Sequence, residues 1–378
     1  WGDAATIVPW EMYETYGDIR ILKKCYDMMK KWVEYQNSTD RRNYGVRTVD
    51  GKEVPEQSDL ATIPYIQVQQ CRGDHLTYDN STPYIYSATA YAAHSADILR
   101  RTAYILGKTD DEKRYTELFE NIKRAFNDAW VNDDGSVSYY GEVSSQTAHC
   151  GESVALDGSV TRYTYYAENT PHCPSQTAYA LAVDFDLIPK DKLKNTRKYF
   201  KNSILRNNGK LTVGFLGISH LAPALSKVDL DDVAFKLLEQ EDNPSWLYSV
   251  KNGATTIWER WNSYIAETDT FGDVSMNSFN HYSYGAIGQW FFTDILGIRP
   301  VEFGYKSFML APKFGGGLTY AKGSFTSPYG KISSAWKLHD GKFTYDCTVP
   351  TNTTATLKLP NGDIHTLVGG SYHFEIDV

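Results

Sequence analysis

The chain has 378 residues, more than one ordinary hydrophobic core usually holds, so two domains or one large helical body with an appendage is expected. At 42% hydrophobic and 22% charged residues its composition is that of a folding chain, and no apolar run is long enough to cross a bilayer. The net charge is −8 with no Lys/Arg stripe, which disfavours a nucleic-acid partner.

Residues 4–36 read as two helices. The first, AATIVPWEMYETYG, has helical apolar spacing and stops at Gly17; Asp18 then caps the second, IRILKKCYDMMKKWVEYQ. Its apolar stripe is read as Ile21, Leu22, Cys25, Met28, Met29 and Trp32. Residues 37–82 form a long polar loop, and loops of that length in compact domains are usually functional or disordered. Residues 83–130 give another helix pair, with Gly107 between the two and Asp110 as the cap of the second. A second long loop covers 131–173. The segment QTAYALAVDFDLIP follows as a helix ended by Pro189, then DKLKNTRKYFKNSILRN as a helix ended near Gly209. LGISHLAPALSKV and DLDDVAFKLLEQ make a further pair, and SFNHYSYGAIGQWFFTDILGI reads as one mostly apolar, buried helix.

Helix, short turn, helix, long loop is the repeating pattern, with almost no alternating strand before residue 300. Hairpins arranged in a ring with long loops on one rim give an (α/α)-type barrel whose site collects on that rim. Roughly nine helices are read, against about twelve in a closed ring of six hairpins, so the ring is expected to be completed by chain ahead of Trp1, and residues 1–378 alone to fold poorly. After Pro300 the texture changes: KISSAWKLHDGKFTYDCTV, TTATLKLP and HTLVGGSYHFEI alternate apolar and polar residues between DG, PNG and GG turns. The expected fold is therefore an (α/α)6 six-hairpin barrel over 1–299, incomplete at its N-terminus, and a small antiparallel β-sandwich over 300–378.

The five cysteines (25, 71, 150, 173 and 347) cannot all pair, and no two stand as C-x-x-C, which disfavours a zinc or redox site. Cys150 and Cys173 could bridge or stay reduced. Asn37, Asn80 and Asn352 match glycosylation sequons that a chain of this size also carries by chance. With 28 Tyr and 9 Trp the sequence is rich in rings that stack on the C–H face of a sugar and bond its hydroxyls, although an aromatic core explains the same count.

The densest constellation is Gly253-Ala-Thr-Thr-Ile-Trp258-Glu259-Arg260-Trp261-Asn262-Ser-Tyr264. Trp neighbours raise a carboxyl pKa by desolvation and Arg260 lowers it, a balance that keeps Glu259 ionised yet able to take a proton from water. The alternative is a structural Glu259–Arg260 pair in the barrel wall. In Asn277-Ser-Phe-Asn280-His281-Tyr282-Ser-Tyr284-Gly285, which opens an apolar helix, His281 either donates to a sugar hydroxyl or holds a carboxylate, or else caps the helix together with Asn280. Asp3, before the first helix, and Asp74, in Arg72-Gly73-Asp74-His75, read equally as a cap and a turn residue.

GATTIWERWNSY, MNSFNHYSYGAIGQWFF and LAPKFGGGLTYAKGSFTSPYGKISSAW resemble consecutive motifs of bacterial α-L-rhamnosidases of glycoside hydrolase family 78, and WGDAATIVPWEMYETYGD, SQTAYALA and GFLGISHLAPALS fall in the same order, over residues 1 to about 360. The resemblance implies an (α/α)6 barrel with a C-terminal β-sandwich, and an inverting hydrolase that releases terminal α-L-rhamnose from a glycoside or polysaccharide. It implies Glu259 as the general base, His281 as a contact to the sugar, and Trp1, Asp3, Asp74, His75 and Trp261 around it. His75 stands where the family's Gly-Asp-Trp motif has its Trp. The family's general acid is a Glu a few residues ahead of the position of Trp1. No metal or other cofactor is called for by this chemistry. A non-catalytic carbohydrate-binding protein derived from the family is the rival reading. An unsaturated uronyl hydrolase is disfavoured by the sandwich and the motif order.

Overall fold

The computed structural model describes residues 1–38, 46–49, 52–55, 64–67, 73–78, 82–138, 150–154, 160–164 and 174–378. In chain order the helices are α1 (Ala4–Tyr16), α2 (Ile19–Gln36), α3 (Tyr84–Ile105), α4 (Thr109–Trp130), α5 (Gln176–Asp184), α6 (Leu193–Leu205), α7 (Phe215–Lys227), α8 (Asp231–Leu238), α9 (Trp246–Lys251) and the single turn α10 (Ile287–Trp290). Three short hairpins interrupt them: β1 (Val46–Val49) with β2 (Lys52–Pro55), β3 (Cys150–Val154) with β4 (Val160–Thr164), and β5 (Tyr264–Ile265) with β6 (Thr270–Phe271). The first two lie inside the stretches read from sequence as plain loops. Cys71, Cys173 and Arg72 fall outside the described residues, so the Cys150–Cys173 bridge does too; Cys25 and Cys347 are free thiols. Among the described residues no helix is long and apolar enough to cross a membrane.

The chain forms two compact units, one of residues 1–32, 98–115 and 286–378, the other of 33–97 and 116–285. In the first, α1 ends at Gly17, whose φ of 66° and N–H bond to the Tyr13 carbonyl make a left-handed stop. Gly17 and Gly304 pass so closely that a Cβ on either would meet the other's backbone at 3.0–3.4 Å, or its neighbour's. Trp10 and Tyr13 pack on Phe303 in the same contact, at ring distances of 5.5 and 4.7 Å. Asp18 caps α2 as expected, its carboxylate accepting the Arg20 N–H at 2.9 Å. The buried stripe of α2 is rotated from the expected one: Leu22, Tyr26 and Met29 are buried and Met28 is exposed. Asp110 does not cap α4; it lies in the first turn with Asp111 and Glu112, where acidic groups suit the helix dipole. Asp111 instead ties α4 to α2, accepting from the Tyr26 hydroxyl at 2.8 Å and the Lys30 ammonium at 2.9 Å.

The sandwich begins at Ile298. Its strands are β7 (Ile298–Pro300), β8 (Ser307–Leu310), β9 (Tyr320–Ser327), β10 (Gly330–His339), β11 (Lys342–Val349), β12 (Thr354–Lys358), β13 (Ile364–Leu367) and β14 (Gly370–Asp377). They form two four-stranded sheets, β14-β11-β10-β9 and β13-β12-β8-β7. Every pair is antiparallel except β8–β12, which runs parallel because three strands of the other sheet intervene between them in sequence. Alternate residues turn inward: Ile332, Ser334 and Trp336 from β10, Phe343, Tyr345 and Cys347 from β11, Phe308 and Leu310 from β8. The Trp336 indole donates to the Ile295 carbonyl at 2.9 Å and the Ser334 hydroxyl to Leu296 at 2.7 Å, so the sheet closes the open end of the preceding helical turn.

That preceding segment is shorter than its sequence suggested. Residues 277–282 are not helical; a 3-10 turn starts at Ser283, α10 follows, and a π turn covers Phe291–Ile295. Side chains and backbone of 277–281 pair with the 257–263 stretch, and this outweighs their helical apolar spacing.

In the second unit α5 and α7 lie side by side, and a Cβ on Gly217 would meet the Thr177 hydroxyl at 2.3 Å. The Tyr86 hydroxyl of α3 donates to the Ala178 carbonyl at 2.9 Å, and Tyr179 stacks on Phe200 of α6. Ser175 caps α5 through the Ala178 N–H at 3.0 Å. α5 ends at Asp184, five residues before Pro189.

Candidate active site

The start of α7 presents N–H groups that have no partner inside the helix, and the positive end of its dipole. Asp74 meets them. One carboxylate oxygen accepts from Leu216 N–H at 2.8 Å and Gly217 N–H at 2.9 Å; the other accepts from Gly214 N–H at 2.8 Å and from the Thr177 hydroxyl. Asp74 is only 5% exposed. Burial raises its carboxyl above the usual value, with the Thr177 hydroxyl and the three N–H groups pulling the other way. The same stretch zips onto the residues before α7: Phe215 N–H bonds the His75 carbonyl at 2.9 Å and Tyr78 N–H the Thr212 carbonyl at 2.8 Å. Gly214 is required at this crossing, since a Cβ there would lie 2.3 Å from the His75 carbonyl oxygen and 2.6 Å from Thr77 N. Asp74 is therefore built as an anchor between loop, α5 and α7, with four protein donors on its carboxylate.

Phe215 is the hub of an aromatic wall. His75 stands edge-on to it at 5.4 Å, His281 stacks on it at 4.9 Å and Tyr284 meets it edge-on at 5.4 Å. Tyr284 stacks on Trp261 at 3.8 Å and donates its hydroxyl to the Leu76 carbonyl at 2.9 Å. Burial, and then the charge of Asp74, push its phenol well above the usual value; Glu259 adds to this and Arg260 opposes it. The Trp261 indole donates to the Val213 carbonyl at 2.9 Å and is 3% exposed, so Trp261 fills the wall from behind.

Glu259 sits on the segment between α9 and the 3-10 turn. Its backbone N–H bonds the Ser278 carbonyl at 2.8 Å, and the Ser278 N–H returns to its Oε2 at 2.7 Å. His281 N–H bonds the Ile257 carbonyl at 2.8 Å, so 257–259 and 278–281 lie paired. Among the described residues no protein group donates to Oε1, and the residue is 9% exposed. Arg260 does not pair with Glu259. It turns to the Met276 carbonyl at 2.7 Å and to Asp273 at 3.0 Å, bracing the loop instead. Trp258 is buried edge-on against Phe279 at 5.2 Å. The His281 Nδ1 faces the Ser283 N–H at a long 3.4 Å. A carboxylate with one oxygen pinned and the other unused can take a proton from water.

Of the residues singled out from sequence, Asp74, His75, Glu259, Trp261 and His281 belong to the second unit: His75, His281 and Trp261 are joined through Phe215 and Tyr284, Asp74 holds the start of α7, and Glu259 is tied to the 278–281 stretch through Ser278. Trp1 and Asp3 belong to the first. Trp1 is exposed, and Asp3 makes no side-chain cap; its Oδ1 accepts from the Trp32 indole at 3.1 Å while Gly2 lies against the same indole, where a Cβ would meet the ring at 2.2 Å. Sequence reading did not single out Phe215 or Thr177, and it held Ser278 and Tyr284 inside the 277–285 constellation without giving either a role. The Gly214-Phe-Leu-Gly217 spacing was the one available signal, since two glycines bracketing a helix start mark a close approach. Among the described residues no three His, Cys, Asp or Glu side chains gather as a metal site.

Comparison with known proteins decides the family. The bacterial α-L-rhamnosidase six-hairpin glycosidase domain matches residues 1–295, and the bacterial α-L-rhamnosidase C-terminal domain matches residues 297–374. This chain belongs to the bacterial α-L-rhamnosidase family. It is 34% identical to an α-L-rhamnosidase of Formosa agariphila over 97% of its own length and 34% of the relative's. A second α-L-rhamnosidase, from Streptomyces avermitilis, is also 34% identical, over 95% of this chain and 29% of that protein. The crystal structure of the Streptomyces avermitilis α-L-rhamnosidase complexed with L-rhamnose aligns with a TM-score of 0.79 at 32% identity, covering 100% of this chain and 33% of that one. The Aspergillus terreus enzyme aligns at 0.78 and 27% identity, over 100% of this chain and 39% of that one. The six-hairpin glycosidase fold and the C-terminal β-domain expected from sequence are thus those of the rhamnosidase family, and the chain spans about a third of its relatives' length.

Proposed function

We propose that the protein carrying this chain hydrolyses terminal α-L-rhamnosides with inversion, and that Glu259 is the general base. The observation that carries the reading is the Glu259 carboxylate itself: nearly buried, one oxygen fixed by the Ser278 N–H, the other unused by the described protein groups, and no guanidinium paired to it. Inversion needs a second carboxyl roughly 6.5–9.5 Å away, which leaves room for the attacking water. The resemblance assigns that acid to the motif ahead of the position of Trp1. His281 donates to a rhamnose hydroxyl, and Phe215, Tyr284 and Trp261 hold its ring in place. Asp74 acts through α7 as a positioning residue, His75 lines the rim, and Trp1 and Asp3 contribute to the sugar site as the family pattern implies. Residues 1–297 form the catalytic part, and the sandwich runs from Ile298, two residues ahead of the boundary at 300 read from sequence. The substrate is a rhamnose-containing glycoside or polysaccharide.

The test is hydrolysis of p-nitrophenyl α-L-rhamnoside by wild type and Glu259→Gln, with the first-formed anomer read by NMR. Expected are a fall in turnover of about 10³-fold with KM little changed, and initial release of the β-anomer. Near-wild-type turnover in the variant, or initial release of the α-anomer, overturns the assignment.

A further inference from the structure

One residue along from Glu259 and one along from Ser278, Trp258 and Phe279 leave the paired segment and form part of the wall of a cavity of about 420 Å³. Asn252, Gly253, Ala254, Thr255, Thr256, Tyr264 and Phe271 also line it. None of Glu259, His281, Asp74, His75 or Trp261 takes part. The site proposed above leaves this cavity without a use.

Its lining has a definite chemistry. Four rings follow one another edge to face: Trp258 against Phe279 at 5.2 Å and 81°, Phe279 against Phe271 at 5.6 Å and 77°, and Phe271 against Tyr264 at 6.2 Å and 60°. The chain is buried at its Trp258 end and open at Phe271, which is 62% exposed. An open herringbone of this kind takes one more aromatic ring in the same geometry, edge of one against face of the next. Trp258 is 7% exposed, so its face is not the broad platform on which a sugar ring lies. Among the described residues no lining side chain carries a charge, and an uncharged wall admits a neutral ligand without desolvating an ion. Hydroxyl and amide groups remain at the edge: the exposed Thr255 and Thr256, and Asn252, whose Nδ2 is held by the Tyr248 carbonyl at 2.8 Å. The Thr256 hydroxyl donates to the Phe279 carbonyl and the Tyr264 hydroxyl to Asp269, which fixes two walls before any ligand arrives.

We infer that this cavity is a second binding site, separate from Glu259, for a neutral phenolic ring. The face of that ring continues the Trp258–Phe279–Phe271 series and its hydroxyl meets the threonine and asparagine edge. The inference does not rest on the catalytic role of Glu259.

The test is saturation-transfer NMR on the purified protein, titrated with 4-hydroxybenzyl alcohol and, in parallel, with methyl β-D-glucopyranoside. L-rhamnose serves as competitor, and Phe271→Ala, whose ring is largely exposed, as the variant; a melting curve confirms that this variant is folded. Saturable binding of 4-hydroxybenzyl alcohol is expected, unaffected by L-rhamnose and weakened about tenfold in Phe271→Ala. Any of four results overturns it: no saturable binding, equal binding in Phe271→Ala, displacement by L-rhamnose, or tighter binding of the glucoside. Hydrolysis by the wild type and by Glu259→Gln is measured separately, so failure here and failure of the hydrolase reading are told apart.

Discussion

The sandwich and the 253–282 segment are both largely non-helical, and they are held in opposite ways. In the sandwich one ladder repeats: β10 pairs with β9 and β11 along its length, and most inward residues add the same kind of apolar contact, with Ser334 and the Trp336 indole adding a hydrogen bond. In the 253–282 segment nearly every contact is of its own kind: a carboxylate on a backbone N–H, a guanidinium on a carbonyl, an asparagine amide on the Ser263 carbonyl, an indole on the Val213 carbonyl. A ladder spreads the loss of one side chain over a whole sheet. A set of single bonds places one atom each, so a loss there moves a functional group while removing little burial.

The largest effect that comparison predicts is in the sandwich. Trp336→Ala removes a fully buried indole and its bond to Ile295, and is expected to destabilise the protein by about 3–5 kcal/mol in urea unfolding. A loss under about 1 kcal/mol would mean that the sheet core is loosely packed. Asp74→Ala comes next, because it strands three N–H groups at the start of α7 together with the Thr177 hydroxyl. About 2–3 kcal/mol is expected, with a fall in turnover even where the protein stays folded; unchanged stability would show that the anchor is not needed. Asp273→Ala sharpens the contrast. Its ion pair with Arg260 is half exposed and contributes about 0.5 kcal/mol. Turnover is nonetheless expected to drop about tenfold as the Glu259 loop loses its brace, with circular dichroism and melting temperature nearly unchanged. Turnover equal to wild type would place the brace outside the catalytic geometry.

The smallest effect is a pH slope. Burial works to raise the Asp184 carboxyl, but His220 at 2.6 Å, with Lys227 and His94 beyond it, holds it below the usual carboxylate range. A depressed carboxyl stabilises the fold above its unfolded value, near pH 4, and that contribution is lost as pH falls through the folded value. Wild type should therefore exceed Asp184→Asn in urea midpoint at about pH 5, with the gap closing on further acidification. A gap that stays constant would show that Asp184 is not ionised there. The sandwich core offers no such slope in acid: burial pushes the Cys347 thiol up to about 12 and raises the Tyr345 phenol as well.

Regular periodicity marks how much of this was legible in the chain. The helices around Gly17, the Asp18 cap and the alternating strands after residue 300 follow from local rules, because each residue's neighbours in space are close to it in sequence. The same rules placed one long helix over 278–298, and there they failed. The polar and backbone groups of 277–281 are used across the chain by Ile257, Glu259 and Ser263, and no local pattern records that exchange. The stripe of α2 was read one step off for a related reason. Tyr26 counts as buried because Asp111, 85 residues on, takes its hydroxyl.

By itself the sequence determined the order of the long helices α1 to α8, the alternating strands after the change of texture near residue 300, and the Trp-Glu-Arg-Trp and Asn-His-Tyr motifs that point to the site. Only the tertiary structure decided which partner each charged group takes. Arg260 stands beside Glu259 in the chain yet bonds Asp273 and Met276, and Asp74 lies about 140 residues from the N–H groups it binds at α7. The physical reason is one of range. Helix and strand patterns are enforced by bonds between near neighbours or by one repeating ladder. A carboxylate leaving water needs whichever donors the fold brings within about 3 Å, and those can come from anywhere in the chain.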